Sequence, residues 1–259
     1  MQRINLNLNA ENYQGLPISK VDYYNNTIGD LKGYDCKECF NKGYIMFDDN
    51  GYDIIKPCKC KKIRDSIKHI KNSGLENLLS VYSFEKYLAK ESWQKHIKDL
   101  ALKFIHDTQG NWFFIGGQVG SGKSHICTAI VNELLNQGLE SLYMKWRDDS
   151  VELKQSINDP EIYSKLVKRY KNVKVLYIDD FLKTELGKQP TSADIMLAFE
   201  ILNHRYINQD LITIISTEKN VDDLIEIDEA IGSRIYQMSK KYCVQLSKDK
   251  EKNMRLRDL

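Results

Sequence analysis

The chain has 259 residues, of which 42% are hydrophobic and 29% charged, and its formal net charge at pH 7 is +2. This apolar fraction is too high for a disordered chain, and the 14 glycines and 4 prolines show no repeat that would indicate a collagen-like protein. The longest apolar runs, 112–115 and 173–178, are far shorter than the roughly 20 residues of a membrane-spanning helix. The N-terminus also lacks the apolar run of a secretion signal. We therefore expect a globular, cytoplasmic protein.

Six cysteines occur in the chain, and four of them form two closely spaced pairs: Cys36, Cys39, Cys58 and Cys60. In a reducing compartment, paired cysteines of this kind predict a tetrahedral zinc site rather than disulfides. Between the pairs, Asn50-Gly51 is typical of a β-hairpin turn. The pattern predicts a zinc ribbon, with unmetallated or redox-active cysteines as the alternative. Cys127 and Cys243 are expected to be ordinary buried cysteines.

A basic segment follows the second cysteine pair. Between residues 56 and 71 there are seven lysines and arginines and one acid, which favours contact with phosphate or an acidic protein surface. A solvated face of a lysine-rich helix is the alternative. Residues 61–72 are predicted to form a helix that ends near Ser73-Gly74. We therefore predict an N-terminal domain over residues 1–72, with its zinc module at 36–60.

From about residue 75 to the end, predicted helices and strands alternate. Strands are expected at 112–115, 141–145, 173–178 and 211–216, and helices at 93–106, after Lys123, within 150–170 and at 193–206. Strands separated by helices in this order predict a parallel sheet covered by helices. The second domain is therefore expected to be an α/β domain over residues 75–259.

A complete phosphate-loop motif, G-x4-G-K-S, lies between an apolar strand and a helix in this domain. Its glycines let backbone N–H groups turn toward a phosphate, and the helix N-terminus adds the positive end of its dipole. Lys123 is expected to reach the β- and γ-phosphates, and the Ser124 hydroxyl to ligate Mg²⁺. A glycine-rich turn without a ligand is the alternative. The residues expected to bind nucleotide are Gly117, Gly120, Ser121, Gly122, Lys123, Ser124 and His125.

The strand at 173–178 ends in two acids, Asp179 and Asp180. P-loop ATPases hold the acid that orders Mg²⁺ at such a point, so Asp179 is expected to act on the metal through water. Asp180 stands where many ATPases have a glutamate that orients the attacking water. Because its side chain is one methylene shorter, we expect slow hydrolysis. Capping of the following helix by the two acids is the alternative.

The two cysteine pairs, the phosphate loop through His125 and the segments 177–180, 214–218 and 232–235 together resemble the bacterial and phage replicative helicase loaders of the DnaC/DnaI type. The resemblance runs from about residue 34 to the end. It implies an AAA+ ATPase of the IstB-like superfamily behind an N-terminal helicase-binding domain. The resemblance to transposition ATPases of the IstB type covers only the C-terminal part.

The resemblance also implies roles for residues outside the phosphate-binding motifs. Arg234 has the position of the arginine finger, which acts on the nucleotide of a neighbouring subunit, and Arg255 has that of the sensor-2 arginine. The sensor-1 asparagine is replaced by Glu218, so Thr217 or Ser216 is expected to substitute for it. The chain ends soon after Arg255, which implies an AAA+ core without a C-terminal helical lid and a nucleotide enclosed largely by subunit contacts.

Single-stranded DNA is an expected ligand, because Lys145-Trp146-Arg147 places an aromatic ring beside two cations. A core tryptophan is the alternative. Segment 82–84 is similar to the adenine-side segment of the resembled family, but an aromatic pair of this kind is more often part of the core.

We expect an ATP-controlled loader that places a hexameric replicative helicase onto DNA at replication initiation. Its expected cofactors are ATP, Mg²⁺ and Zn²⁺, and its expected partners are the helicase, single-stranded DNA and further copies of itself, but no membrane. The compact chain favours a phage origin. Three alternatives stay open: a transposition accessory ATPase acting on duplex DNA, a small-molecule P-loop kinase, and a nucleotide-gated adaptor whose hydrolysis is incidental.

Overall fold

The structure is a computed structural model that describes residues 19–70, 81–185 and 187–256. The chain divides into two compact units, Met1–Lys61 and Lys62–Leu259. The expected domain boundary, between residues 72 and 75, lies outside the described residues. No helix among the described residues is both long and apolar enough to cross a membrane.

The first unit contains a short helix, α1 (Lys20–Asn26), and an antiparallel hairpin of β1 (Tyr44–Asp49) and β2 (Tyr52–Pro57). Asn50 and Gly51 connect the strands with φ angles of 54° and 84°. Positive φ at both positions is what a two-residue type I′ turn requires, and asparagine and glycine adopt it at low cost. The expected hairpin between the cysteine pairs is therefore confirmed. Helix α2 (Cys60–Ile70) starts at the last cysteine of the second pair.

The second unit is built on a five-stranded sheet whose described strands all pair in parallel. Its strands are β3 (Phe113–Gly117), β4 (Ser141–Lys145), β5 (Val175–Asp179), β6 (Ile212–Ser216) and β7 (Cys243–Leu246). Their order across the sheet is β4-β5-β6-β3-β7. The expected parallel α/β architecture is confirmed, and β7 adds an edge strand that we did not predict.

Seven α-helices accompany this sheet among the described residues: α3 (Ser92–Phe104), α4 (Lys123–Asn136), α5 (Trp146–Gln155), α6 (Pro160–Asn172), α7 (Ser192–Ile207), α8 (Val221–Ile227) and α9 (Glu229–Ser239). Local chemistry sets several of their starts. Asp159 accepts a hydrogen bond from the backbone N–H of Ile162 and Pro160 opens α6, while Thr191 and Asp194 form a capping box at α7. Each device satisfies N–H groups that a helix start leaves without partners.

Strands β3 and β6 are completely buried, and the core continues along β5. Fully burying each large apolar side chain contributes on the order of 1.5–3 kcal/mol. Strand β3 lies between β6 and β7, yet the chain passes from β3 through α4 to β4 at the far edge. In such open sheets, ligands bind where the strand order reverses, beyond the carboxyl ends of the strands. The phosphate loop follows β3 at this point.

The position of Trp146 contradicts its expected role in stacking on single-stranded DNA. Its side chain is only 2% exposed and packs against Phe181 with ring centroids 5.0 Å apart. Helix α5 starts at this residue and turns the indole into the core. Trp146 therefore provides no stacking surface for a nucleic-acid base, and the alternative of a core tryptophan is correct.

Candidate nucleotide site and cysteine cluster

The phosphate loop depends on glycine for its shape. Gly117, Gly120 and Gly122 have φ angles of 99°, 74° and 85°, a region that side-chain-bearing residues rarely adopt. A Cβ at Gly117 would also collide with the carbonyl oxygen of Leu246, on β7. Gly122 immediately precedes α4, whose first residue is Lys123. The N-terminus of a helix therefore follows the phosphate loop directly.

Lys123 is only 7% exposed, and its ammonium turns back onto the loop. Its Nζ donates to the carbonyl oxygens of Gly117, at 2.9 Å, and Gln118, at 2.6 Å. Burial lowers the pKa of Lys123, while the nearby charges of Glu218 and Asp180 oppose that shift. The loop therefore holds a desolvated cation, which interacts strongly with anions because little water competes.

Asp179 ends β5 and meets Ser124 of the phosphate loop. Its Oδ1 accepts from Ser124 Oγ, at 3.2 Å, from the backbone N–H of Asp180, at 3.1 Å, and from Ser216 Oγ. Its Oδ2 accepts from the Tyr143 hydroxyl at 3.0 Å. The structure thus brings together the two residues expected to hold Mg²⁺, and their oxygen donors fit this ion. The motifs did not point to Tyr143, which β4 places beside β5.

Asp180 and Glu218 share a lysine that sequence reasoning missed. Lys183 Nζ lies 3.0 Å from Asp180 Oδ2 and 2.7 Å from Glu218 Oε1. Burial tends to lower the pKa of Lys183, but the hydrogen bonds to Glu218 and Asp180 outweigh it and raise the pKa above its ordinary value. In the sequence, this contact was indicated only by the position of Lys183, three residues after the acid Asp180 at the end of a predicted strand.

Thr217 does not match the role of a sensor-1 substitute. It is fully buried, and its hydroxyl donates to the carbonyl oxygen of Phe181 at 2.8 Å. That bond holds the turn after β5. Ser216, the other expected substitute, directs its hydroxyl to Asp179. Among the described residues at the end of β6, Glu218 is the one that lines the phosphate-loop cavity.

A cavity of about 320 Å³ opens beside the phosphate loop. One wall is aromatic: Tyr82 stacks on His125 with ring centroids 4.5 Å apart, and Tyr87 meets the same imidazole edge-on at 5.2 Å. A ring nitrogen of His125 lies 3.0 Å from the carbonyl oxygen of Ser83. Burial lowers the pKa of His125, which favours the neutral imidazole. His125 thus holds segment 82–87 against the loop, while Phe84 is buried.

Arg255 reaches the same cavity from the far end of the described chain. A 3₁₀ turn, Met254–Leu256, brings it there, and the backbone N–H of Met254 donates to the carbonyl oxygen of Gly120 at 2.9 Å. A Cβ at Gly120 would collide with the side chain of Asn253. The loop and this turn are therefore in close contact, which puts the Arg255 cation within the chain's own site.

Arg234 lies elsewhere, on α9, and is not among the described residues that line the cavity. One of its terminal nitrogens donates to the carbonyl oxygen of Ala230 at 2.8 Å. Its guanidinium stands over the rings of Phe199, at 5.1 Å, and Tyr206, at 5.3 Å. This position is distinct from the chain's own phosphate loop.

The four paired cysteines of the first unit converge. Their Sγ atoms all lie within 4.8 Å of one another, and all four residues are buried: Cys36, Cys39, Cys58 and Cys60. The distances are 3.7 Å between the Cys36 and Cys58 sulfurs and 3.5 Å between those of Cys39 and Cys60. Four thiolates at 2.3 Å around a tetrahedral Zn²⁺ stand about 3.8 Å apart. The cluster therefore fits zinc.

The surroundings of the cluster also suit a metal. The backbone N–H of Gly43 donates to Cys39 Sγ at 3.2 Å, a bond that stabilises a thiolate. Neither of the remaining cysteines belongs to the cluster: Cys127 is fully buried, as expected, whereas Cys243 is only partly buried.

Comparison with known proteins agrees with the motifs. A family model described as "IstB-like ATP binding protein" matches residues 58–255. The phage-like element PBSX protein XkdC of Bacillus subtilis (strain 168) is 29% identical over 228 residues, covering 83% of each chain. The replicative helicase loader DnaC of Escherichia coli (strain K12) is 26% identical over 166 residues, 63% of this chain and 64% of DnaC.

A solved structure has the same fold. The crystal structure of the DnaC helicase loader superposes with a TM-score of 0.55 at 23% identity, over 65% of this chain and 97% of that one. This superposition confirms the fold that the resemblance to DnaC-type loaders implied, and the family model confirms the IstB-like family. The chain belongs to the family of IstB-like ATP-binding proteins.

Proposed function

We propose that this protein is an ATP-dependent loader of a hexameric replicative DNA helicase onto DNA at replication initiation. The observation that carries the proposal is the convergence of Lys123, Ser124, Asp179 and Arg255 on one phosphate-loop site. The similarity of this chain to DnaC, a replicative helicase loader, supports a replicative helicase as the partner. XkdC, which belongs to a phage-like element, supports a phage origin.

The site residues have separate tasks in this proposal. The N–H groups of the phosphate loop and the Lys123 ammonium bind the phosphates, while Ser124 and, through water, Asp179 hold Mg²⁺. Mg²⁺, when bound, offsets charge on the phosphate oxygens. Asp180 orients the attacking water. Because its carboxylate is paired with Lys183, the water must compete with an ammonium for it, which supports slow or ligand-controlled hydrolysis.

The first unit supplies the partner surface in this proposal. A zinc-held hairpin followed directly by the basic start of α2 forms a module that carries none of the nucleotide motifs. We assign helicase docking to this module, as the resemblance to helicase loaders implies. Single-stranded DNA and further copies of the chain complete the set of proposed partners, with Arg234 acting on the nucleotide of a neighbouring copy.

Nucleotide binding tests the site. Lys123→Ala removes the cation next to the loop, so we expect ATP affinity to fall at least about a hundredfold, as for a buried charge-assisted contact. Isothermal titration calorimetry with MgATP measures this loss. Lys95→Ala, at an exposed position of α3, is the matched control and should bind normally. Unchanged ATP affinity in a folded Lys123→Ala protein would refute the site.

The choice of ligand that stimulates hydrolysis tests the loader activity. We expect single-stranded DNA together with a replicative helicase to raise ATP turnover and to leave helicase on the DNA. Stimulation by duplex DNA alone would favour the transposition ATPase, and phosphate transfer to a nucleoside or metabolite would favour the kinase. A helicase that is loaded equally well when ATP cannot be hydrolysed would favour the nucleotide-gated adaptor.

A further inference from the structure

Lys183 follows the two acids at the end of β5 and lines the phosphate-loop cavity together with Lys123 and Arg255. We propose that Lys183 binds the γ-phosphate and thereby makes the site prefer ATP to ADP. This inference rests on the proposed function, because it assumes that the cavity binds nucleotide.

The turn that carries Lys183 is held in an unusual conformation. Asp180 and Leu182 have φ angles of 53° and 50°, values that are uncommon for any residue except glycine and especially so for leucine. Such backbone strain persists only where the surroundings impose it, and it gathers at functional sites. The packing around this turn therefore stabilises a backbone conformation that is unfavourable by itself.

Several contacts impose the turn. Phe181 and Leu182 are fully buried, and the backbone N–H of Phe181 donates to the carbonyl oxygen of Ser216 at 2.9 Å. The Thr217 hydroxyl donates to the carbonyl oxygen of Phe181 at 2.8 Å. With its two central residues anchored in the core, the turn directs the side chains of Asp180 and Lys183 to one side, toward the phosphate loop.

The hydrogen bonds of Lys183 leave capacity for a further anion. Its ammonium bonds to one oxygen each of Asp180 and Glu218, and an ammonium has three N–H donors. These two carboxylates fix the position of the cation, since each comes from a different strand end. A partly buried ammonium oriented in this way can donate its third hydrogen to a phosphate oxygen without losing either carboxylate.

The distribution of charge in the cavity explains why Lys183 would bind the γ-phosphate rather than the β-phosphate. Asp179, Asp180 and Glu218 all lie near Lys123, and each repels a polyphosphate. Lys123 and the loop N–H groups offset this repulsion at the β-phosphate, which ATP and ADP share. A γ-phosphate that extends from the loop toward the ends of β5 and β6 would meet Asp180 and Glu218, and Lys183 is the cation paired with both acids. Loss of Lys183 should therefore weaken ATP binding and spare ADP.

The experiment compares the affinities of two nucleotides for three variants of the full-length protein. With Mg²⁺ present, titration calorimetry gives dissociation constants for ADP and for the non-hydrolysable analogue AMPPCP. For Lys183→Met we expect AMPPCP affinity to fall about tenfold or more, with ADP affinity changed less than about twofold. Lys183→Arg keeps the cation and should keep most of the preference for the triphosphate.

Lys188→Met is the matched control, because Lys188 lies in the same loop and pairs with Glu185 at an exposed position. It should bind both nucleotides normally. An equal loss of both nucleotides in Lys183→Met, or no loss of either, would overturn the inference. If Lys183→Met does not fold, Lys183→Gln replaces it, with the same expected loss of AMPPCP affinity, and equal weakening of both nucleotides in that variant contradicts the inference. Failure of the proposed function is a separate result, in which Lys123→Ala also binds nucleotide normally.

Discussion

The Arg205 guanidinium is fully buried in the second unit, and its hydrogen bonds reach one hydroxyl and four backbone carbonyls. The hydroxyl belongs to Thr213, and the carbonyls belong to Tyr170, Lys171, Val173 and Ile212. The same cation therefore donates hydrogen bonds to backbone carbonyls at the end of α6 and at the start of β6. A buried charge is tolerated here because each of its donor groups has an acceptor.

Replacing Arg205 by methionine should destabilise the second unit. The substitution keeps an unbranched apolar chain but leaves five oxygens without this donor, three of them in buried hydrogen bonds, so we expect the free energy of unfolding to fall by about 3–5 kcal/mol. Urea denaturation followed by circular dichroism measures the loss. Arg147→Met, at an exposed position, is the control and should change stability by less than about 0.5 kcal/mol. Equal denaturation midpoints for both variants would contradict this role of Arg205.

Asp149 makes stability depend on pH. Its Oδ2 accepts from the backbone N–H of Lys145 at 2.7 Å, and burial raises its pKa from 3.8 to about 6. Between those values the folded state binds more protons than the unfolded state, so stability falls as pH rises through this window. Asp149→Asn keeps an acceptor oxygen without the charge. We expect it to stabilise the protein by about 1 kcal/mol at pH 7.5 and by much less at pH 4. An effect of equal size in urea titrations at both pH values would contradict the assignment.

At the scale of elements, the β1–β2 hairpin depends on the cysteine cluster. A two-stranded hairpin is marginally stable on its own in water, and of the hairpin residues only Met46 is buried. One cysteine pair precedes β1, the other follows β2, and the four side chains meet in a buried cluster. Metal ligation there would close the chain around the hairpin and stabilise it through the metal.

We therefore expect Cys58→Ser to release about one zinc ion per chain and to unfold residues 36–60. Elemental analysis measures the metal, and hydrogen exchange of the β1 and β2 amides measures the fold. ATP binding by the second unit should persist, because that unit has its own core. Cys243→Ser, outside the cluster, should retain the metal. A wild-type protein that contains no zinc would rule out the zinc assignment.

At the scale of the whole molecule, the two arginines implied by the family resemblance occupy different places. Arg255 lines the chain's own phosphate-loop cavity, whereas Arg234 packs over Phe199 and Tyr206 on α7. In the proposed function, Arg255 acts on the nucleotide of its own chain and Arg234 on that of another copy. This difference makes the two residues separable by experiment.

Arg234→Ala should bind ATP with nearly normal affinity and lose hydrolysis by roughly 10³-fold, the usual effect of removing an arginine finger. Mixing it with Lys123→Ala should restore part of the activity, because some interfaces then pair an intact phosphate loop with an intact Arg234. Arg255→Ala, whose cation would act within its own chain, should not be rescued in this way. ATPase assays over a range of mixing ratios decide the matter, and no recovery at any ratio would argue against action in trans.

The features that could be predicted from the sequence are those that short contiguous segments encode. The strand, loop and helix around Lys123 are contiguous, the Asn50-Gly51 turn is a two-residue preference, and the cysteine spacing follows from the reach of two short turns. Alternation of helices and strands was likewise enough to predict the parallel sheet, although β7 was missed because a four-residue edge strand has too few residues to show a clear period.

Contacts between side chains that are distant in the sequence, by contrast, could not be predicted, because they depend on how the elements pack together. Lys183 and Glu218 come from the ends of different strands and contact only because β5 and β6 pair in parallel. The burial of Trp146 and the inward hydroxyl of Thr217 depend on how the turn around Phe181 packs, which no local pattern encodes. Side-chain direction in such turns follows from the packing of the whole core, so motif position predicts which residues lie near a site but not which of them face it.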